Sequence, residues 1–314
     1  MPQPLADALK LLTKEMNKPF SANLKPFFIS PILGLTMALM LWSLYPTSFP
    51  TFFFCYSLIL FLCISSLNVY TILAAGWSSN SKYALLGALR CIAQTISYEV
   101  SMALILLNII LLKNSYDLTL MRLSSIPLIL LTPSLFLTWF TSTLAELNRT
   151  PFDFAEGESE LVSGFNIEFS SGSFALIFMA EYLNIIFMSI LTTTLFFSSP
   201  IFLPFKEILF ALQASLISFV FVWVRATFPR TRYDQLMSLT WKSFLPTALK
   251  FLILFTSLSL YPYHMMSLSN FMKMHVEIHQ NKLIPVMVTI GEQRKRLLPP
   301  QSFPNLPPFK KWTD

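Results

Sequence analysis

Long apolar runs dominate this chain. Seven of them, roughly 27–45, 52–75, 84–112, 127–146, 173–198, 206–224 and 241–262, are bounded by polar or proline-rich breaks. Each is close to the ~20 residues a helix needs to cross a bilayer and far longer than the ~10 of a barrel strand. Only helices and closed barrels satisfy their backbone in lipid, so the predicted fold is all-α, a polytopic transmembrane bundle of about seven spans. Ahead of it, Leu5, Leu9, Leu12 and Met16 recur at helical spacing, with Asp7, Lys10, Lys14 and Glu15 off that stripe. That pattern predicts an amphipathic helix lying on the membrane surface. No signal-peptide pattern precedes the first span. After 262 the pattern changes: Pro285, Pro299, Pro300, Pro304, Pro307 and Pro308 join a charge cluster at 292–296. The chain therefore divides into a surface helix and linker (1–26), a transmembrane domain (27–262) and an irregular, exposed tail (263–314).

Charge gives the runs a direction. Charged residues make up 12% of the 314 positions, about half the ~25% of a soluble domain. With the N-terminus on the positive side, the inner segments hold Lys10, Lys14, Lys18, Lys25, Lys82, Arg149, Arg225, Arg230 and Arg232, against Lys113, Arg122 and Lys206 outside. The positive-inside rule selects that orientation. The net charge of +6 is thus spread by topology, and no nucleic acid is expected. Cys55, Cys63 and Cys91 lack ligand spacing and are read as packing residues. His275 and His279 have no third ligand nearby, so no metal is expected. The seven glycines are never two apart, which excludes a Gly-x-Gly nucleotide loop.

Ionisable groups inside a bilayer are costly and mark pathways or pairing sites. Glu99 falls in the third span, Glu146 at the end of the fourth, and Glu181 about two turns into the fifth. Arg90, Gln94, Ser97, Ser101 and Asn108 share one face of the third span, while Thr95 and Glu99 point elsewhere, so that helix must be buried in protein or line water. The loop at 147–172 carries Asp153, Glu156, Glu158, Glu160 and Glu168 against Arg149 alone, and crowded acids of this kind share protons. Structural hydrogen bonding, or a solvated loop docked on a basic partner, would explain the same residues. Beyond the sixth span, Arg225, Arg230 and Arg232 accompany Phe228, Tyr233 and Asp234. Those residues suit either interfacial snorkelling or a site for a polar-headed, greasy-tailed ligand.

Several long motifs then coincide with one family. Gln3–Glu15, Ser79–Arg90, Ala93-Gln-Thr-Ile-Ser-Tyr-Glu-Val100, Ala145-Glu-Leu-Asn-Arg-Thr-Pro-Phe-Asp153, Glu156–Asn166, Met179-Ala-Glu-Tyr182 and Arg230-Thr-Arg-Tyr-Asp-Gln-Leu-Met237 closely resemble the chain 1 family of NADH:ubiquinone oxidoreductase, respiratory complex I, as encoded in animal mitochondria. The resemblance runs from residue 3 to about 262. It implies a core subunit of the mitochondrial inner membrane that encloses most of the ubiquinone access tunnel and couples quinone reduction to proton translocation. On that resemblance, ubiquinone is the substrate and no cofactor is bound covalently. NADH, FMN and the iron-sulfur clusters belong to partner subunits, both the quinone-site subunits of the peripheral arm and the neighbouring membrane-arm subunits. Arg225, Phe228 and Arg230 match the tunnel wall. Glu99, Glu146, Asp153, Glu156, Glu158, Glu160, Glu168 and Glu181 match the proton-coupling route.

Two departures accompany the resemblance. Family members carry a further helix before the Gln3-Pro4 position, ending in a Lys-Gly-Pro-Asn-like turn, and 263–314 resembles nothing in the family. An apolar groove beside the fifth span and the surface helix is therefore expected. A proton- or cation-coupled transporter, or a truncated non-functional copy of the subunit, are the alternatives; the former usually shows internal repeats, which this sequence lacks.

Overall fold

A computed structural model describes residues 3–46, 52, 54–122, 127–154, 157, 164–197 and 206–273. All regular elements among them are helical. They are α1 (Gln3–Thr13), α2 (Leu24–Trp42), α3 (Ser57–Ser78), α4 (Lys82–Lys113), α5 (Leu118–Arg122), α6 (Leu128–Leu131), α7 (Pro133–Glu146), α8 (Ser171–Phe196), α9 (Lys206–Thr227), α10 (Tyr233–Leu239) and α11 (Leu245–Lys273). A 3-10 turn at Gly164–Asn166 precedes α8, and a π-helical turn at Thr240–Phe244 joins α10 to α11.

Among the described residues, five helices are long and apolar enough to cross a membrane: α2, α3, α4, α8 and α9. They correspond to the first, second, third, fifth and sixth expected spans. The fourth is different. Thr132 leaves the helical region at φ −134°, ψ 67°, because a residue ahead of proline is pushed out of the α conformation. Pro133 then starts α7 afresh, and its 14 residues reach only ~21 Å. The seventh also departs from expectation: α11 continues to Lys273, so the boundary expected at 262 falls inside a helix. Residues 274–314 lie outside the described residues.

Helix α4 is the most buried of the five and organises the bundle. Ser81 caps it by accepting from the Ala84 amide at 3.4 Å, and Asn114 ends it in the left-handed region at φ 51°. Beside that end, Lys113 Nζ donates to Thr194 O at 2.8 Å and Met121 O at 3.1 Å. An ammonium there complements the C-terminal dipole of α8. Where α3 crosses α4, a Cβ on Gly76 would lie 2.3 Å from Ala88 Cβ and 3.0 Å from Ala84 O, so the absent side chain sets the approach. The core between α4, α7, α8 and α9 is aromatic: Trp139 is fully buried, Phe136 meets Phe196 edge-on at 5.2 Å, and Phe140 stacks on Phe221 at 5.2 Å.

Outer faces stay apolar, as lipid requires. On α9, Phe210, Ala214, Ile217 and Phe221 point inward, while Ile208, Leu212, Leu216, Phe219 and Trp223 form an exposed stripe. The same logic corrects the reading of the cysteines: Cys91 is buried, but Cys55 and Cys63 are exposed, since an apolar thiol facing lipid has no need of a protein partner. Helix α1 packs against α8. The Asn17 amide donates to Ser170 Oγ at 2.8 Å, and Leu9, Leu12 and Met16 remain exposed, as an interfacial stripe should.

Candidate functional site

The motif Ala145–Asp153 builds the site. Helix α7 stops in a Schellman turn: the Asn148 amide donates to Ala145 O at 3.2 Å and the Arg149 amide to Leu144 O at 3.4 Å. Asn148 takes the left-handed conformation this requires, at φ 49°, a role asparagine fills when glycine does not. Glu146 is thereby the last helical residue, and Arg149 turns back against the bundle. From α4, fully buried Gln94 donates through Nε2 to both Ala145 O and Phe152 O, each at 2.9 Å. One side chain thus fixes the helix end and the start of the acidic loop together. Asn148 Oδ1 accepts from Cys91 Sγ at 3.5 Å.

Two clefts open on either side of this turn. The first has an empty volume of about 620 Å³, and its polar lining includes Asn68, Thr71, Glu146, Asn148, Glu181 and Asn184. The second, of about 270 Å³, is lined by Arg149, Tyr182, Ile185, Phe221, Val222 and Arg225. Arg149 joins them, because its Nη2 lies 3.6 Å from Glu181 Oε2 while its guanidinium carbon sits 5.2 Å from the Tyr182 ring centroid. Both clefts flank α8, the fifth expected span, but α1 lines neither, so neither is the apolar groove expected between that span and the surface helix.

The structure brings together four of the eight acids read from the sequence. Glu99 is close enough to Glu146 to interact electrostatically, and Glu146, Glu181 and Asp153 all lie within electrostatic reach of Cys91. Asp153 pairs with Arg230 at 3.1 Å. Glu168 is half-buried and lines neither cleft. Glu156, Glu158 and Glu160 lie outside the described residues.

Arg225, Phe228 and Arg230 divide their contacts. Arg225 lines the second cleft, Arg230 turns to Asp153, and Phe228 is 58% exposed. The two charged loops are nonetheless neighbours, since Thr150 Oγ1 donates to Arg225 O at 3.0 Å and the Thr231 amide to Pro151 O at 3.0 Å. Burial lifts the Tyr233 phenol above its ordinary range, with Arg90 nearby pulling the other way. Among the described residues, no group of three or more His, Cys, Asp or Glu is placed to hold a metal ion.

A family profile described as NADH dehydrogenase matches residues 1–256. The chain belongs to the NADH dehydrogenase family. Within it, the chain is 52% identical over 261 residues to NADH-ubiquinone oxidoreductase chain 1 of Aedes aegypti, covering 82% of each protein. It is 52% identical over 266 residues to the chain 1 protein of Locusta migratoria, again covering 82% of each. With that of Paracentrotus lividus it shares 51% over 260 residues, 79% of this chain and 78% of the relative. Every motif on which the resemblance rested lies inside the matched region. Gln94, Asn148, Tyr182 and Asn184 join the site only through the structure. In the sequence Gln94 belongs to a polar helix face, and nothing in its own spacing names two backbone carbonyls as its partners.

Proposed function

We propose that the chain is a core membrane subunit of a proton-translocating NADH:ubiquinone oxidoreductase of the mitochondrial inner membrane. In this reading it walls the ubiquinone access path and couples quinone reduction to proton movement. Reduction of ubiquinone to ubiquinol takes up two electrons and two protons. The electrons come from NADH through the FMN and iron-sulfur clusters of partner subunits, so this chain has no hydride to transfer.

The observation carrying the proposal is that Glu146 and Glu181 line one cleft with Asn68, Thr71, Asn148 and Asn184. Amide and hydroxyl groups can donate and accept in turn, so they support water-bridged transfer between two carboxyl groups. Arg149 stands 3.6 Å from Glu181 as its ion-pair partner. Charge arriving at the quinone side, through the Asp153–Arg230 pair, would be felt along the same turn. Arginine keeps its proton; Arg225 and Arg230 therefore orient a polar headgroup or hold the acidic loop rather than deliver protons, and Phe228 offers an apolar surface to the quinone.

The test is Glu146→Gln and Glu181→Gln in the assembled complex. Each should lower quinone-linked turnover and proton pumping together and leave NADH oxidation by an artificial acceptor unchanged. Full quinone turnover and pumping in both variants would refute the coupling role.

A further inference from the structure

The second cleft has features that proton coupling does not use. Arg149 is 7% exposed, yet its buried Nη2 has no hydrogen-bond partner, because Glu181 at 3.6 Å is an ion-pair neighbour beyond hydrogen-bonding range. Arg225, across the cleft on the last turn of α9, has no carboxylate in ion-pair contact among the described residues. Among the described residues no acid lines this cleft; two guanidinium groups set against Glu181 behind one of them leave one net positive charge among those residues. Below the arginines the lining is apolar. Ile185 lies one turn beyond Tyr182 on α8, and Phe221 and Val222 lie one turn before Arg225 on α9. Tyr182, Val222 and neighbouring Trp223 are each more than half exposed, with aromatic rings where a bilayer meets water.

We propose that this cleft binds a phospholipid of net negative charge, its phosphate held between Arg149 and Arg225 and one acyl chain lying along Ile185, Phe221 and Val222. Guanidinium groups match phosphate oxygens with paired donors. A free phosphate ion would satisfy the arginines but leave the apolar stripes bare. A neutral ligand would leave the net charge unmatched. The membrane around α8 and α9 supplies both halves in one molecule.

The experiment reads occupancy directly, because Arg225 also stands in the quinone proposal. The intact complex is placed in nanodiscs containing phosphatidylglycerol with a photoactivatable acyl chain, and labelled peptides are mapped. Labelling is expected at Tyr182–Ile186 and Phe219–Val222. Arg225→Gln should reduce it about fivefold, the effect of one basic residue at an anionic membrane surface. Val222→Trp, which fills the apolar half and keeps both arginines, should reduce it as well. Inorganic phosphate should not displace the label. Equal labelling by the phosphatidylcholine analogue, displacement by a short-chain ubiquinone, or capture of the cleft peptides by another subunit would each overturn the proposal. Absence of label from the unaltered complex would do the same.

Discussion

Replacing Gln94 with methionine keeps the length and burial of the side chain but removes the donor that bridges α7 to the acidic loop. The size of the effect follows from what the two carbonyls retain. Ala145 O still accepts from the Asn148 amide, and Phe152 O still accepts from the Phe154 amide at 3.2 Å. Neither is orphaned, so the loss is two net hydrogen bonds at about 1 kcal/mol each rather than two stranded acceptors. Gln94 Oε1 is buried without a hydrogen-bond partner, and its removal offsets part of that loss. The turn should therefore weaken by about 1–2 kcal/mol, a local opening raised roughly 5- to 30-fold. Hydrogen exchange of the Asn148, Arg149, Phe152 and Phe154 amides in the assembled complex would measure it, with amides in the middle of α9 as control. Wild-type exchange at those four positions, or equal acceleration in α9, would refute the bridge.

Two further outcomes follow from packing and charge. Gly76→Ala should destabilise the α3–α4 crossing by about 1–3 kcal/mol, and adding Ala88→Gly should recover only part of it because Ala84 O remains 3.0 Å away; a double-mutant cycle on the detergent stability of the complex would show coupling, and simple additivity would contradict the contact. Arg122 is buried, donates to Pro46 O at 2.7 Å and Glu207 at 2.6 Å, and lies over Phe210, whereas the Glu207 side chain is 54% exposed. Arg122→Leu should thus cost about 2–3 kcal/mol and Glu207→Gln less than about 1 kcal/mol, and a reversed order in the same assay would show the carboxylate to be the anchor.

Lipid imposes so narrow a choice of backbone that long apolar runs disclosed five spans directly. They could not disclose the break at Thr132, where Pro133 restarts a helix within a run of continuous hydrophobicity. Glu146 and Glu181 were legible for the same energetic reason, since an acid in an apolar run has to answer for its cost. What stayed hidden depends on backbone geometry or on distant partners. Gln94 meets its acceptors only after Asn148 has ended α7, and Arg122, read as a loop charge on the outer side, finds Glu207 85 residues away. The second cleft forms from residues on α8, α9 and the turn after α7, of which only Arg225 was legible as a site residue.

The Schellman turn after α7 also acts as a spacer of fixed length. Glu146 and Arg149 are three residues apart, yet the acid lines one cleft and the base lines the other. Reversal of the chain through Asn148 is what separates them. Asn148 has to hold the left-handed conformation for the turn to close, and one residue more or fewer between Glu146 and Arg149 would turn the base away from the second cleft. The segment is therefore intolerant of changes in length, the opposite of an ordinary surface loop.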